Sequence, residues 1–181
     1  MSRTTIPSRG EAPEATHAIL DNVGKVLGFV PNLHRAMSVS PAVLNAFVGI
    51  QGPLNKTLDV RTREGIALAV SEVNGCEYCI NAHNFILEKF GSADATEVAL
   101  NRKGTSRDPK RAAAIGFALK VIQSSGKITD EDFAAVRAAG FEEPQVLEIV
   151  ALSMQFQFTN VINNVVGTPI DFPVADEAYP A

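Results

Sequence analysis

Residues 63–84 read "REGIALAVSEVNGCEYCINAHN" and predict two consecutive helices with a sharp break between them. Before the break, apolar residues recur at three- and four-residue spacing, which is the period of a helix with one buried face. Asn74-Gly75 is typical of a helix end, because both residue types tolerate positive φ. A second helical pattern begins at Cys76 and continues to Gly91. The stretch therefore predicts a helix, a tight turn and a second helix that starts at a cysteine.

The sequence on either side extends the helical pattern over most of the chain. Ser40-Pro41 and Thr129 are typical of helix starts, and Asp132 completes a capping box with Thr129. We predict helices at about 14–28, 42–54, 59–73, 76–91, within 91–111, and at 112–126, 129–140 and 144–166. The predicted fold is all-α, a single-domain helical bundle, because no credible pair of strands occurs. Residues 1–13 are expected to be a flexible N-terminal arm, and residues 14–181 the helical domain.

The composition excludes several classes of partner. The chain has 181 residues, 46% hydrophobic and 20% charged, with a net charge of -4. A basic surface stripe is absent from the sequence, so nucleic acid is not an expected partner. No stretch approaches the roughly 20 apolar residues that span a bilayer, and the first residues lack the apolar core of a secretion signal. We therefore expect a cytoplasmic protein without a membrane partner.

A weak internal repeat is visible in the spacing of polar residues. Glu64 precedes Cys76 by 12 positions and Cys79 by 15, and Glu148 precedes Asn160 and Asn163 by the same intervals. Helical amphipathicity can also produce this pattern. As a hypothesis, the chain contains a degenerate internal helical repeat whose second copy has lost its cysteines.

Cys76, Cys79 and His83 are spaced to share one face of a helix. At about 100° per residue they fall within an arc of roughly 60°. Cysteines at i and i+3 in a helix can form a disulfide with little backbone movement, and the unpaired N–H groups at a helix start favour a thiolate. The spacing therefore predicts a redox-active cysteine pair.

His83 lies one helical turn after Cys79, where it can handle the proton of that thiol directly or through one water. A carboxylate is then needed to orient the imidazole, and the preceding helix offers Glu64 and Glu72. Spacing does not choose between these two. The candidate catalytic residues are accordingly Cys79, Cys76, His83, Glu64 and Glu72.

Two other roles for the pair remain open at this point. Cysteines often pack as small apolar residues, although two of them with a histidine at a helix start make that role less common. A structural zinc site needs four ligands, and the sequence has no second cysteine pair to complete one. No metal is therefore expected unless Glu64, Glu72 or another subunit completes the set of ligands. His17 and His34 are interpreted as surface or packing residues.

The run from Arg63 to Asn84 resembles the signature of alkyl hydroperoxide reductase D-like (AhpD-like) proteins in the carboxymuconolactone decarboxylase superfamily. In that signature a glutamate precedes a CxxCxxxH motif by 12 positions, as Glu64 precedes Cys76 here. The flanks "GFVPNLHR" and "NNVVGTPIDFP" resemble the peroxidase-related branch of the superfamily. The likeness covers the chain from about Glu14 onward and implies an AhpD-like helical domain.

The resemblance implies a cofactor-free antioxidant peroxidase that reduces hydrogen peroxide or organic hydroperoxides. Cys79 would attack the peroxide, Cys76 would supply a proton and then close a disulfide, and His83 with Glu64 would relay the proton. Proteins of this type assemble as trimers, dimers or hexamers. A dithiol donor, such as a lipoyl-bearing or thioredoxin-like protein, would reduce the disulfide again.

Two departures from the family pattern matter for function. Tyr78 stands where some members have a histidine, and a phenol is not a base near neutral pH. Glu72 stands where small residues are common, and a second carboxylate near the thiols would raise their pKa. The alternatives are a thiol–disulfide oxidoreductase without peroxidase activity, and a non-catalytic helical subunit that binds a metal or merely packs its cysteines. Lactone decarboxylation is disfavoured, because those members typically lack the cysteine pair.

Overall fold

A computed structural model describes residues 2–172, and this part of the chain contains nine α-helices, one short 3-10 turn and no strand. The all-α prediction is confirmed. None of the described helices is long and apolar enough to cross a membrane. The helices are α1 His17–Leu27, α2 Asn32–Ser38, α3 Pro41–Leu54, α4 Val60–Val73, α5 Glu77–Gly91, α6 Ala95–Arg102, α7 Pro109–Gln123, α8 Asp130–Ala138 and α9 Glu143–Val166.

Several helix starts are capped by the residues that the sequence indicates. Ser40 accepts a hydrogen bond from the Val43 N–H, and Thr129 and Asp132 form the predicted capping box. α2 was not predicted, since Pro31 was interpreted as an interruption rather than a helix start. The N–H of Asn32, at the start of α2, is bound by a carboxylate 139 residues further along the chain. A local pattern cannot reveal a cap of that kind.

Helix α4 lies at the centre of the molecule, packed against α5, α6, α7 and α9. Its residues from Gly65 to Ser71 are all buried. Gly65 permits the close approach of α6 and α7, because an added Cβ would lie 2.8 Å from Ile115 Cδ1 and 2.9 Å from Asn101 Oδ1. The helix before the Asn-Gly break is therefore the core element of the fold.

Three apolar clusters fill the interior of the described residues, and the smallest contains Leu68, Leu87 and Val98. The first joins α4 to α7, α8 and α9 and contains Ile66, Ile115 and Ile149. The second contains Leu20, Leu44 and Phe47 together with both cysteines. The thiols thus belong to an aromatic and aliphatic cluster, distinct from the main helical core.

The N-terminal segment is tied to the domain by hydrogen bonds. The Arg3 guanidinium donates to the carbonyls of Asn164 and Val165 at the end of α9. Arg35 on α2 donates to the carbonyls of Pro7 and Ile6. These contacts hold Arg3, Ile6 and Pro7 against α9 and α2, and the division of the chain into an arm, 1–13, and a helical domain, 14–181, stays a prediction.

Candidate active site

The two cysteines lie at the start of α5. Cys76 is the N-cap residue, and its Sγ accepts a hydrogen bond from the Cys79 N–H at 3.4 Å. Cys79 lies in the first turn. The two cysteines are 2.6 Å apart at their closest approach, and both are free thiols without a disulfide between them. Cys76 therefore caps the helix instead of belonging to it, a shift of one residue from the predicted helix start.

The nearest acid–base pair is formed by His83 and Glu64. His83 Nδ1 lies 2.8 Å from Glu64 Oε2, and both side chains are largely buried. The Phe156 ring packs edge-on against the imidazole at 5.1 Å between ring centroids. His83 follows Cys79 by four residues, so α5 presents both on one side. The structure thus pairs one of the two candidate carboxylates with the histidine.

Glu72 is separated from this group. Its carboxylate pairs with Arg102 on α6, with 2.7 Å between Nε and Oε2. It does not line the cavity described below. The candidate role of Glu72 beside Glu64 or the thiols stays a prediction, and in this structure its carboxylate binds Arg102 while that of Glu64 binds His83.

A cavity of about 550 Å³ adjoins Cys79, His83 and Glu64, all three of which line it. Most of its wall is apolar and comes from α1, α3, α5 and α9, with Val23, Phe47, Ile86 and Phe156 among the lining residues. Cys76 is fully buried and is not part of the wall. A small molecule in the cavity would therefore contact Cys79 and not Cys76.

Of the two sulfurs, that of Cys76 is the one at which a thiolate is stabilised. Hydrogen bonding with the Cys79 side chain lowers the pKa of Cys76, aided by the Cys79 N–H and by the amides of Asn163 and Asn160, against the effect of burial. Burial raises the pKa of Cys79 far above its ordinary value, and the adjacent Cys76 sulfur raises it further. The first thiolate of the pair therefore forms at Cys76, while Cys79 retains its proton.

Asn160 and Asn163 on α9 belong to the site, although the sequence did not mark them as functional. Asn163 Nδ2 lies 3.1 Å from Cys79 Sγ. Asn160 Nδ2 donates to Ser71 Oγ, just before the Asn-Gly turn. The one signal in the sequence was the weak repeat, in which these two asparagines occupy the positions of the cysteines. That repeat itself stays a prediction.

Tyr78 is hydrogen-bonded to Asp171, which precedes Phe172 in the cavity wall. Its hydroxyl donates to Asp171 Oδ1 at 2.9 Å and accepts the N–H of Leu33 at 3.1 Å. The other oxygen of Asp171 accepts the N–H of Asn32. Burial raises the pKa of Tyr78 far above that of a free phenol, so the hydroxyl keeps its proton. Tyr78 therefore links the two sequence motifs that lie on either side of the cysteine region. Leu33 belongs to the first motif, residues 28–35, and Asp171 to the second, which begins at residue 163.

The other two histidines differ in their surroundings. His34 is buried against Phe47 and lines the cavity, and burial lowers its pKa to about 4, so the ring is neutral at pH 7. His17 lies at the start of α1, with Nε2 at 2.9 Å from the Ala12 carbonyl oxygen. Among residues 2–172, no three His, Cys, Asp or Glu side chains are arranged to hold a metal ion.

Comparisons with known proteins agree with this fold. The pattern of the carboxymuconolactone decarboxylase family matches residues 41–120. The crystal structure of an alkylhydroperoxidase AhpD core, an uncharacterized peroxidase-related protein from Ralstonia eutropha JMP134, is 30% identical with a TM-score of 0.83. That similarity covers 98% of this chain and 94% of the other.

Two further relatives are more distant. The uncharacterized protein YdfG of Bacillus subtilis (strain 168) is 28% identical over 121 residues, which are 65% of this chain and 78% of YdfG. The debrominase Bmp8 is 23% identical with a TM-score of 0.79, and the match covers 94% of this chain and 93% of Bmp8. At that identity the likeness to Bmp8 shows the fold alone.

Proposed function

The chain belongs to the AhpD-like branch of the carboxymuconolactone decarboxylase family, and we propose that it is a thiol-dependent peroxidase that reduces hydroperoxides with Cys79. One observation carries the proposal: the Cys79 thiol meets a cavity whose wall also contains the hydrogen-bonded pair of His83 and Glu64. A nucleophile, a proton-transfer group and a carboxylate that orients it are the parts that such chemistry needs.

The reaction begins with a proton transfer within the dithiol. Cys76 forms the first thiolate and contacts Cys79, so it can accept the proton of the Cys79 thiol. The Cys79 thiolate then attacks the terminal oxygen of the hydroperoxide. The sulfur–oxygen bond forms as the oxygen–oxygen bond breaks, and the sulfur loses two electrons to the peroxide. Cys79 becomes a sulfenic acid, and the organic product departs as an alkoxide.

Protons from the site complete this step. The alkoxide takes a proton from the Cys76 thiol or from His83, whose ring Glu64 holds in place. The product leaves as an alcohol, or as water when the substrate is hydrogen peroxide. Because the cavity is mostly apolar, it contains few groups that would solvate the alkoxide, and a positioned proton donor therefore matters.

Cys76 then resolves the sulfenic acid. Its thiolate attacks the Cys79 sulfur, a disulfide forms, and the hydroxyl group leaves as water after taking one proton. An external dithiol returns two electrons and two protons by thiol–disulfide exchange. We propose a small or flexible dithiol as this donor, such as a lipoyl group, since Cys79 is 2% exposed and Cys76 is fully buried.

The same burial weighs against the rival thiol–disulfide oxidoreductase. Attack on a disulfide of a folded partner requires an accessible thiolate, and both sulfurs lie inside an apolar cluster. A purely structural role for the cysteines is disfavoured because one of them lines a cavity beside an acid–base pair. The donor, the substrate and the disulfide step remain parts of the proposal.

Two serine variants test the assignment. We expect Cys79→Ser to abolish hydroperoxide consumption in the presence of dithiothreitol or dihydrolipoamide. We expect Cys76→Ser to undergo one oxidation, to a sulfenic acid on Cys79 that dimedone captures, and then to turn over slowly because the resolving thiol is missing. Mass spectrometry of the captured adduct locates the oxidised residue.

Three outcomes would contradict the assigned roles. Unchanged peroxide turnover in Cys79→Ser would refute the role of Cys79, and a dimedone adduct on Cys76 of the wild type would exchange the two roles. Slow, non-saturating oxidation of the reduced wild type by peroxide, with rapid reduction of a protein disulfide, would favour the oxidoreductase instead.

A further inference from the structure

The cavity has one positively charged group in its wall that the peroxidase chemistry does not use. Arg63 lies next to Glu64 on α4, and both side chains line the cavity. Successive residues of a helix point about 100° apart, so these two charges enter the cavity from different directions. A substrate could therefore contact Arg63 and the reaction centre with different parts of its structure.

The hydrogen bonding of Arg63 is incomplete. One terminal nitrogen donates to the Leu58 carbonyl, and the buried Nε has no hydrogen-bond partner. A guanidinium has five N–H donors in a planar fork, so most of its capacity remains. The side chain is partly buried. An exposed Arg could satisfy these donors with water, but a partly buried one gains more from a bound partner.

The carboxylates close to Arg63 in the sequence are already hydrogen-bonded to other residues. Asp59 caps α4 and accepts hydrogen bonds from the N–H and hydroxyl of Thr62. Glu64 is bound to His83. Within residues 2–172, no Asp or Glu oxygen lies within 4.0 Å of the Arg63 guanidinium. The positive charge is thus left without a counter-charge from the described part of the chain.

The surroundings of Arg63 are the polar part of the lining. Gln51 and Asn55 lie one turn apart at the end of α3, and Leu58, which binds Arg63, follows in the connection to α4. Gln155 also lines the cavity, is 5% exposed, and keeps its Oε1 without a partner. Charged and amide groups therefore accompany Arg63, while the walls from α1 and α5 are mainly aliphatic and aromatic.

We propose that the cavity binds an organic acid with an apolar chain, whose carboxylate pairs with Arg63 while its apolar body fills the rest of the cavity. Resting on the proposed function, the natural substrate is then a carboxylate-bearing alkyl hydroperoxide, such as a fatty-acid hydroperoxide, rather than hydrogen peroxide. A guanidinium recognises a carboxylate through two parallel hydrogen bonds. The cavity, at about 550 Å³, lies in the range that accommodates small organic ligands.

Binding of two matched, unreactive compounds tests this inference. Octanoate and 1-octanol share a chain length and differ in charge, and neither contains a peroxide bond. In calorimetric titrations of the reduced full-length protein, we expect octanoate to bind at least about tenfold more tightly than 1-octanol. Arg63→Gln should remove that preference, while the affinity for 1-octanol stays within about twofold.

Two variants serve as controls. Arg107→Gln makes the same change in net charge at an exposed surface pair with Asp94, and should leave both affinities unchanged. Arg63→Lys keeps the charge without the planar fork, so it should retain a reduced preference for octanoate. Equal binding of the two compounds by the wild type, or an undiminished preference in Arg63→Gln, would overturn the inference. If Arg63→Gln does not fold, the uncharged Arg63→Met takes its place, and an undiminished preference for octanoate in that variant would overturn the inference.

Steady-state kinetics test the substrate preference independently of the binding titrations. For linoleic acid hydroperoxide and its methyl ester, we expect the wild type to show a lower KM for the acid and a similar kcat for both. Octanoate preference without turnover of either hydroperoxide would support the binding site and contradict the proposed peroxidase. Turnover of both with equal KM, together with equal binding of octanoate and 1-octanol, would support the peroxidase and contradict the role of Arg63.

Discussion

At the scale of single residues, the two sulfurs have unequal surroundings. Cys76 receives an N–H and amide donors that stabilise its thiolate, whereas Cys79 is the sulfur that meets the cavity. Charge and access are thus divided between neighbours 2.6 Å apart. One proton transfer between them converts the resting arrangement into a reactive one. Residues of identical type therefore acquire different roles from their positions at one helix start.

The amide of Asn163 stabilises a thiolate on either sulfur of the pair. Because its N–H groups favour the thiolate over the thiol, Asn163→Ala should raise the pKa of Cys76, and the thiolate should form at higher pH than in the wild type. Ultraviolet thiolate absorbance during a pH titration of the reduced protein measures the shift. Asn164→Ala is the control, since Asn164 donates to the Asn74 carbonyl and not to a sulfur. A titration curve that Asn163→Ala leaves unchanged would contradict the assigned effect.

The two glutamates of α4 form a matched pair for testing the proton relay. Glu64→Gln keeps a hydrogen-bonding group beside His83 but removes its charge, so we expect kcat/KM for hydroperoxide to fall by about 10², within the range known for proton-transfer groups. The pH dependence of kcat/KM should also change. Glu72→Gln removes a carboxylate that pairs with Arg102, and should change kcat/KM by less than about twofold. Equal losses in both variants would argue against a specific relay.

At the scale of helices, the Asn-Gly break turns the chain so that α5 packs back on α4. That turn brings His83 to Glu64, which lies 19 residues earlier. The start of α5 is also where Tyr78 binds Asp171 and Leu33, so the turn, the cap and the segment that contains Asp171 meet in one place. The position taken by histidine in some relatives therefore has a structural role here.

Gly65 shows how tightly α4 is enclosed. A Cβ at Gly65 would overlap Ile115 and the buried amide of Asn101, which is held by hydrogen bonds to Glu97 and to the Thr105 carbonyl. We expect Gly65→Ala to lower the free energy of unfolding by about 1–3 kcal/mol in urea titrations. Gly116→Ala on α7 has open space within 4 Å and should raise it by up to about 1 kcal/mol. Stabilisation by both variants would show that α4 has room to move.

At the scale of the whole molecule, α9 leaves an apolar stripe uncovered. Its exposed residues recur at intervals of 3, 4 and 7, and no charged residue follows Glu148 in the helix. They are Leu147, Met154, Phe158, Val161 and Val165. The homo-oligomer that the family resemblance implies stays a prediction, and this stripe is the apolar surface that such an assembly would bury.

A charge in the middle of the stripe tests this assembly. We expect Val161→Glu to reduce the molecular mass measured by sedimentation velocity, because the pair of stripes would have to bury an unpaired carboxylate. Phe133→Glu, at an exposed position on α8, should leave the mass unchanged. A wild type that sediments as a monomer at every concentration tested would rule out self-association through α9.

The amino-acid pattern alone was enough to predict every helix except α2, the turn at Asn74-Gly75 and a cysteine pair on one helix face with His83, because these depend on local spacing and on turn and cap chemistry. The choice between Glu64 and Glu72 depended on how α5 packs on α4, and the docking of the N-terminal segment on contacts with α2 and α9. The helix α2, the asparagines beside the sulfurs and the cavity likewise depend on residues far apart in the chain. Such contacts follow from packing in three dimensions, which a one-dimensional period does not encode.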